Sequence, residues 1–341
     1  MPTARVAWLL SAAFAPAAAA SLAPAVAAQL PQAAVAGFPQ AEISNGVVTA
    51  RFYLPDAERG YYRGTRFDWS GNTYSLRALG HEYAGQWFER YDPKLHDAIM
   101  GPVEEFLTED SSLGYAEAAP GGTFVRIGVG VVRKPEDKPY DRFRTYEIVD
   151  PGQWTVKAER DRIEFRHELR DGTGYAYDYR KTVRLLAKAP VMTIEHSLRN
   201  TGTKPIETSQ YNHNFFVMDG MPTGPDARVR FVFEPKAGGD LRGLAEVRGR
   251  ELAYLRELQP GESLFTELAG FGPSARDYDI RIEHARAGAG VRIEGDRPLA
   301  KLVFWSIRKT LCPEPYVALR VDPGGQEQWS LRYTFYELDA R

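Results

Sequence analysis

The chain of 341 residues holds a single cysteine, Cys312. A lone thiol excludes an intramolecular disulfide framework and any cysteine-rich zinc or iron–sulfur site. A surplus of charge is missing too: 43 Lys+Arg against 45 Asp+Glu leave a formal net charge of −2. That balance argues against a nucleic-acid binder held by phosphate electrostatics. The six histidines show no i, i+4 pair and no HExxH, so a zincin is excluded, and nothing in the sequence asks for a metal. There is no Gly-x-Ser-x-Gly elbow and no P-loop. The run Gly128-Val129-Gly130 reads as the inside of a strand without a following helix, which rules out a dinucleotide fingerprint. Long helical periodicity is absent, with room only for a short helix near Lys94–Met100.

What is abundant is apolar and aromatic side chain. Hydrophobic residues make up 43% of the chain and aromatic ones 12%, enough for a large core with rings to spare for strands and sugar faces. The first forty residues differ from the rest. Arg5 precedes an Ala/Leu/Val-rich run from Val6 to Ala28 that is interrupted by Pro16 and Pro24. The run ends in the small-residue pattern Ala25-Val26-Ala27. Residues 1–27 therefore read as a secretory signal peptide, and a membrane anchor is the competing reading. Residues 28–40 read as a flexible lead-in and 41–341 as one folded domain. No later apolar stretch could span a bilayer, so no membrane insertion is expected once the leader is gone. An exported chain without disulfides fits a bacterial periplasm or secretion.

From residue 41 onward, period-two alternation recurs. It is clearest in Asp161–Arg170, Val191–Leu198 and Tyr278–His284. Further runs are Phe124–Arg133, Phe143–Val149, Ala227–Phe233, Leu264–Leu268, Leu302–Ile307 and Trp329–Tyr336. Turn signals separate them at Pro151-Gly152, Asp171-Gly172, Asn200–Gly202, Pro260-Gly261 and Pro323-Gly324. Many short strands with regular turns predict an all-β protein, a large antiparallel β-sandwich.

Three local patterns carry chemistry. In Ser209–Phe216 (SQYNHNFF), His213 stands among amides and aromatics at a strand end. In Leu311–Tyr316 (LCPEPY), Glu314 lies between two prolines on rigid backbone, which fixes the direction of its carboxylate. Arg90–Phe106 holds His96, Asp97, Glu104 and Glu105 in a loop-like stretch. Each also has a plain structural reading, a hydrogen-bonded histidine or a surface ion pair. Three others, His167, His196 and His284, extend apolar strand faces and read as sheet histidines satisfied by neighbours.

At these patterns the sequence resembles the aldose 1-epimerase (galactose mutarotase-like) superfamily. The match runs through Lys181–Leu185, Val191–Asn200 and Tyr211–Gly220, then Leu302–Trp305, Cys312–Pro315, Pro323-Gly324 and Trp329–Tyr336. The resemblance implies a galactose mutarotase-like supersandwich that interconverts α and β anomers of a sugar by acid/base ring opening. It implies His213 as the acid, Glu314 as the base and, through Leu95-His96, His96 as a second donor to the sugar. Arg90 lies in the region corresponding to the family's Asn-Arg-Ile segment, which is itself absent. Asn212 and Trp305 adjoin the catalytic matches, and Tyr177 shares a strand face with Tyr175 and Tyr179; all are candidates for holding substrate. Trp69 and Trp87 are further aromatic candidates, and Arg63, Arg66 and Asp68 could bond hydroxyls. Proton transfer needs no metal or organic cofactor. The expected partner is a carbohydrate, either a monosaccharide or a glycan end. Two alternatives compete: a carbohydrate-binding protein or accessory factor of glycan processing on the same fold, and a lyase or glycosidase pairing Glu104 or Glu105 with Glu314.

Overall fold

The computed structural model describes residues 37–109, 111–170 and 173–339. The predicted leader, residues 28–36 of the lead-in, and the Asp171-Gly172 turn lie outside them. Among the described residues there are 23 strands, two short 3₁₀ turns and no α-helix.

The strands run in chain order as β1 (Gln40–Ser44), β2 (Val48–Tyr53), β3 (Asn72–Ala78), β4 (His81–Ala84), β5 (Val103–Leu107) and β6 (Thr123–Arg126). Then come β7 (Gly130–Arg133), β8 (Ile148–Asp150), β9 (Gln153–Ala158), β10 (Arg162–Arg170), β11 (Ala176–Leu185) and β12 (Val191–Asn200). The second half holds β13 (Ile206–His213), β14 (Ala227–Phe231), β15 (Lys236–Ala237), β16 (Ala245–Arg248), β17 (Glu251–Tyr254) and β18 (Ser263–Ala269). It closes with β19 (Asp279–His284), β20 (Ala289–Gly295), β21 (Lys301–Ile307), β22 (Thr310–Val321) and β23 (Gln326–Glu337).

Two sheets dominate. The longer has ten strands in the order β16-β17-β14-β19-β20-β23-β12-β11-β10-β9, and the other has six in the order β15-β18-β21-β22-β13-β5. A four-stranded sheet β1-β2-β3-β4 and a three-stranded sheet β6-β7-β8 complete the fold. The alternating residues of the long sheet (Ile163, Phe165, Val183, Ile194, Val229, Ile282, Val291, Leu331) join those of the six-stranded sheet (Ile206, Leu264, Leu302, Phe304, Leu319) in one buried core. Period-two alternation puts every second side chain on the same face, so the core consumes one face of each sheet. On its outer face the six-stranded sheet carries a second buried cluster that includes Phe67, Trp87, Val103, Phe215 and Cys312. The candidate site lies in that second cluster.

Some expectations shift. The first strand begins at Gln40, inside the predicted lead-in. The Phe124–Arg133 run splits into β6 and β7, because Gly128 takes φ +78° and the Val129 N–H closes a turn on the Arg126 carbonyl. Of Phe143–Val149 only Ile148 and Val149 belong to a strand. No helix forms at Lys94–Met100. Its bonds, Leu95 N–H to Asp92 O and Ala98 N–H to Leu95 O, are isolated i→i+3 turns, and the His96 carbonyl is taken by the Tyr62 hydroxyl.

Between the two large sheets sits a fully buried ionic cluster. Lys181 of β11 pairs with Glu104 of β5 and donates to the Ser70 carbonyl at 3.1 Å. Asp68 accepts from the Ser70 and Tyr179 hydroxyls at 2.5 and 3.1 Å. Burial raises both carboxyls, Glu104 to about 7, against the pull of Lys181. Gly71 beside it takes φ +75°, a conformation that favours glycine, and a Cβ there would stand 2.3 Å from the Lys181 ammonium.

Candidate functional site

Alternation along β13 sends Gln210 and Asn212 inward and Tyr211 and His213 outward. On β22 the outward residues are Cys312, Glu314 and Tyr316. The β13–β22 ladder runs continuously only as far as Tyr211↔Tyr316, then resumes at an isolated bridge between Phe216 and Leu311. Pro313 and Pro315 lie in this gap and have no N–H to give a ladder. The Asn214 side chain fills in by donating to the Pro313 carbonyl at 2.8 Å, and is held by the Tyr333 hydroxyl at 3.0 Å. Phe215 takes φ +43°, an uncommon conformation for a bulky residue, and its N–H donates to the Cys312 sulfur at 3.1 Å. Its ring thereby stacks 3.8 Å from that of His213.

His213 Nε2 and Glu314 Oε1 meet in the gap at 3.1 Å. Only 4% and 5% of the two residues is exposed, so bulk water does not screen the pair. Phe67 and Trp305 present ring edges to His213, each at 5.6 Å, and Trp87 stacks on Phe215 at 4.7 Å. His213 Nδ1 is buried without a hydrogen-bond partner among the described residues. Burial pushes the Glu314 carboxyl up to about 7, with Arg66 and Arg142 opposing the rise. The same burial, reinforced by Arg66 and Arg142, holds His213 well below its ordinary value.

A charged network backs the pair on the same face. Arg66 donates to Glu105 at 3.1 Å, to Asp97 at 2.6 Å and to the Tyr211 hydroxyl at 3.3 Å. Tyr211 donates to Glu105 at 2.5 Å, and Arg126 reaches the other carboxylate oxygen at 3.1 Å. Burial alone would raise Glu105, but Arg66, Arg126 and Arg142 outweigh it and keep the carboxylate ionised. Tyr316 stacks on Tyr211 at 4.3 Å and steadies the network from β22.

Of the predicted site residues, the structure brings together His213, Glu314 and Trp305. His96 is one step removed: its Nδ1 bonds Asp97, which Arg66 ties to Glu105. The other three do not reach the site. Asn212 points inward, donating to Glu104 at 2.8 Å and accepting from Gln210 at 2.8 Å. Tyr177 is a core residue of β11; its hydroxyl accepts from the Gly128 N–H at 3.2 Å and bonds His167 Nδ1 at 3.0 Å. Tyr175 and Tyr179 share its inward face and belong to the same core. Arg90 follows the turned-in Trp87 and is exposed to solvent. Trp69 is buried as well, stacked against Trp154. Glu104 and Glu314 lie on opposite faces of the six-stranded sheet, so they cannot flank one glycosidic bond; Glu105 shares the face of Glu314 but is committed to two arginines and a tyrosine.

Sequence reasoning did not assign Phe67, Tyr211, Phe215, Arg142 or Tyr316 to the site. A signal was there for three of them: Tyr211, Phe215 and Tyr316 stand two residues from His213 or Glu314, the spacing that shares a strand face. Phe67 and Arg142 come from connecting segments and have no such mark.

No protein-family profile matches the chain, and no curated protein does. Solved structures do. An aldose epimerase homologue from Caenorhabditis elegans superposes with a TM-score of 0.54 at 14% identity, covering 89% of this chain and 99% of that one. A candidate aldose 1-epimerase from Escherichia coli K12 gives 0.53 at 14% identity, over 89% and 100%. A galactose mutarotase-like protein from Lactobacillus casei gives 0.53 at 12% identity, over 87% and 100%. The chain has the galactose mutarotase-like fold.

Proposed function

We propose that this protein is an isomerase of the aldose 1-epimerase type that interconverts the α and β anomers of a sugar. One observation carries the reading: an imidazole and a carboxyl from distant parts of the chain meet at 3.1 Å where the β13–β22 ladder breaks, among aromatic rings. Mutarotation asks for two proton transfers. A base takes the proton of the anomeric hydroxyl while an acid gives one to the ring oxygen. The C1–O5 bond breaks, the open aldehyde turns about C1–C2, and the reverse transfers close the ring on the other carbonyl face. The contact lets Glu314 and His213 share one proton. Moving it from Glu314 to His213 leaves a carboxylate as base and an imidazolium as acid. Positioned proton transfer is worth roughly 10²–10⁴-fold.

Trp305, which is half-buried, supplies a ring against which the apolar face of a sugar packs, while the fully buried Phe67 and the Arg66 network hold the back wall. The resting site needs no group beyond these side chains for this chemistry. The leader read over residues 1–27 supports a periplasmic or secreted location; N-terminal sequencing of the exported protein tests that part, and a start at a residue other than Ala28 refutes the cleavage site.

The activity is tested by polarimetry on freshly dissolved α-anomers of glucose, galactose, mannose and xylose. The wild type is expected to speed the decay of optical rotation on at least one sugar, and Glu314→Gln and His213→Asn to lose that effect while keeping the circular dichroism of the fold. No acceleration on any sugar, together with calorimetric binding of one, would replace this reading with that of a carbohydrate-binding protein.

A further inference from the structure

Five large hydrophobic side chains are exposed among the described residues, and only two of them are aromatic: Phe143 at 53% and Phe265 at 61%. Both lie by the candidate site. Phe143 rests against the Arg66 guanidinium at 5.0 Å and the His96 ring at 5.1 Å. Phe265, on β18, pairs directly with Trp305 of β21. Leu264, Thr266 and Leu268 alternate with it into the core, so Phe265 shares the outer face with Trp305. Trp305 in turn presents its edge to His213. A line of aromatic side chains therefore leads from the buried pair across the sheet to solvent.

We infer that Phe265 forms a second sugar subsite, which makes the reducing end of an oligosaccharide the substrate; this rests on the epimerase reading of the same site. Glu314 pairs with Val303 on β21, two residues from Trp305, and β18 is two strands from β22. Two strand spacings and a two-residue offset along the strand put the Phe265 backbone roughly 12 Å from that of Glu314. That is the reach of the next sugar rings of a chain whose reducing end sits on His213. The surroundings fit a saccharide better than a protein partner. Phe265 is the only large exposed apolar side chain among the described residues of the six-stranded sheet, far short of a contiguous apolar patch. Beside it on the same face stand Ser263, Glu267 and Lys301, the last two paired at 2.6 Å. A ring face flanked by hydroxyl, carboxylate and ammonium offers packing for sugar C–H groups and hydrogen bonds for hydroxyls.

The test compares each monosaccharide above with its reducing trisaccharide: maltotriose, galactotriose, mannotriose and xylotriose. In the wild type, kcat/KM for the trisaccharide of the accepted sugar should exceed that for the monosaccharide by roughly tenfold or more. In Phe265→Ala that ratio should fall to about one, and in Phe265→Tyr it should persist. Binding is read separately by calorimetry in Glu314→Gln, where the trisaccharide should bind roughly tenfold more tightly than the monosaccharide only while Phe265 is present. If that binding pattern holds and no sugar is turned over, the subsite stands and the epimerase reading falls. If turnover occurs but the ratio is about one in the wild type, the subsite is refuted and the epimerase reading stands. A sedimentation coefficient altered by Phe265→Ala, with sugar ratios untouched, would assign this face to a second copy of the chain and refute the subsite as well.

Discussion

Replacing Glu314 by glutamine should abolish turnover and yet stabilise the protein. The carboxyl is lifted from its ordinary value of 4.5 to about 7, chiefly because burial penalises its charge. The folded state therefore holds the Glu314 proton more tightly than the unfolded chain does. Stability falls as the pH rises from about 4.5 through 7, and is level again above. Roughly 2.5 units at 1.36 kcal/mol each give about 3 kcal/mol lost by alkaline pH. Glutamine has the shape of the protonated acid, keeps a polar group at the 3.1 Å approach to His213 and never ionises. We predict a gain of about 2–3 kcal/mol over the wild type near pH 8, shrinking to nothing below about pH 5. Urea unfolding at both pH values measures it, with the other buried carboxyls, Glu104 among them, cancelling between the two proteins. Equal stability near pH 8, or a variant less stable there, would refute the claim that the site holds its base at the expense of stability.

Three further outcomes follow. Because the active pair carries one proton, kcat/KM should decline as the pH rises past about 7, where Glu314 gives it up while His213 is already neutral; a rate that still climbs above about pH 8 would contradict this. Lys181→Met strands Glu104 and Asp68 in the core, which should cost about 3–5 kcal/mol near pH 8 and less near pH 5 as those carboxyls protonate, with Glu104→Gln restoring part of the loss; pH-independent destabilisation in urea would deny the ionic cause. Tyr177→Phe removes the acceptor for the buried Gly128 N–H and should cost about 1–3 kcal/mol without changing the polarimetric rate; a slower rate would mean that Tyr177 serves the site after all.

The strands were the most readable part of the chain, since alternation reports burial directly. Arg162–Arg170 and Val191–Asn200 match their expected runs to within two residues. His213 and Glu314 could be singled out because each carries its own local context, an amide-aromatic strand end and a glutamate between prolines. Which way a neighbour faces was harder to read. Asn212 adjoins His213, but one step along a strand crosses the sheet, so the amide serves the buried ionic cluster. Glu104 and Glu105 divide in the same way, one to Lys181 and one to Arg66. The tyrosines of β11 suit a sugar platform as well as a core, and only the pairing of ten strands decides in favour of the core. Arg142 and Phe67 arrive on connecting segments, where no periodicity announces a destination.

The break in the β13–β22 ladder has a consequence for assembly. A slip of β22 by one residue would turn Glu314 toward Leu302 and Phe304, and an equal slip of β13 would drive the His213 imidazole into the same apolar layer. It would also bring Pro313 or Pro315 against residues that now complete backbone bonds. Mispaired chains thus carry a stranded charge and a lost hydrogen bond at once, each costly in a dry interior. The two reacting groups therefore act as a checkpoint on strand pairing, and a chain stripped of both would be freer to misassemble even where its native form is more stable.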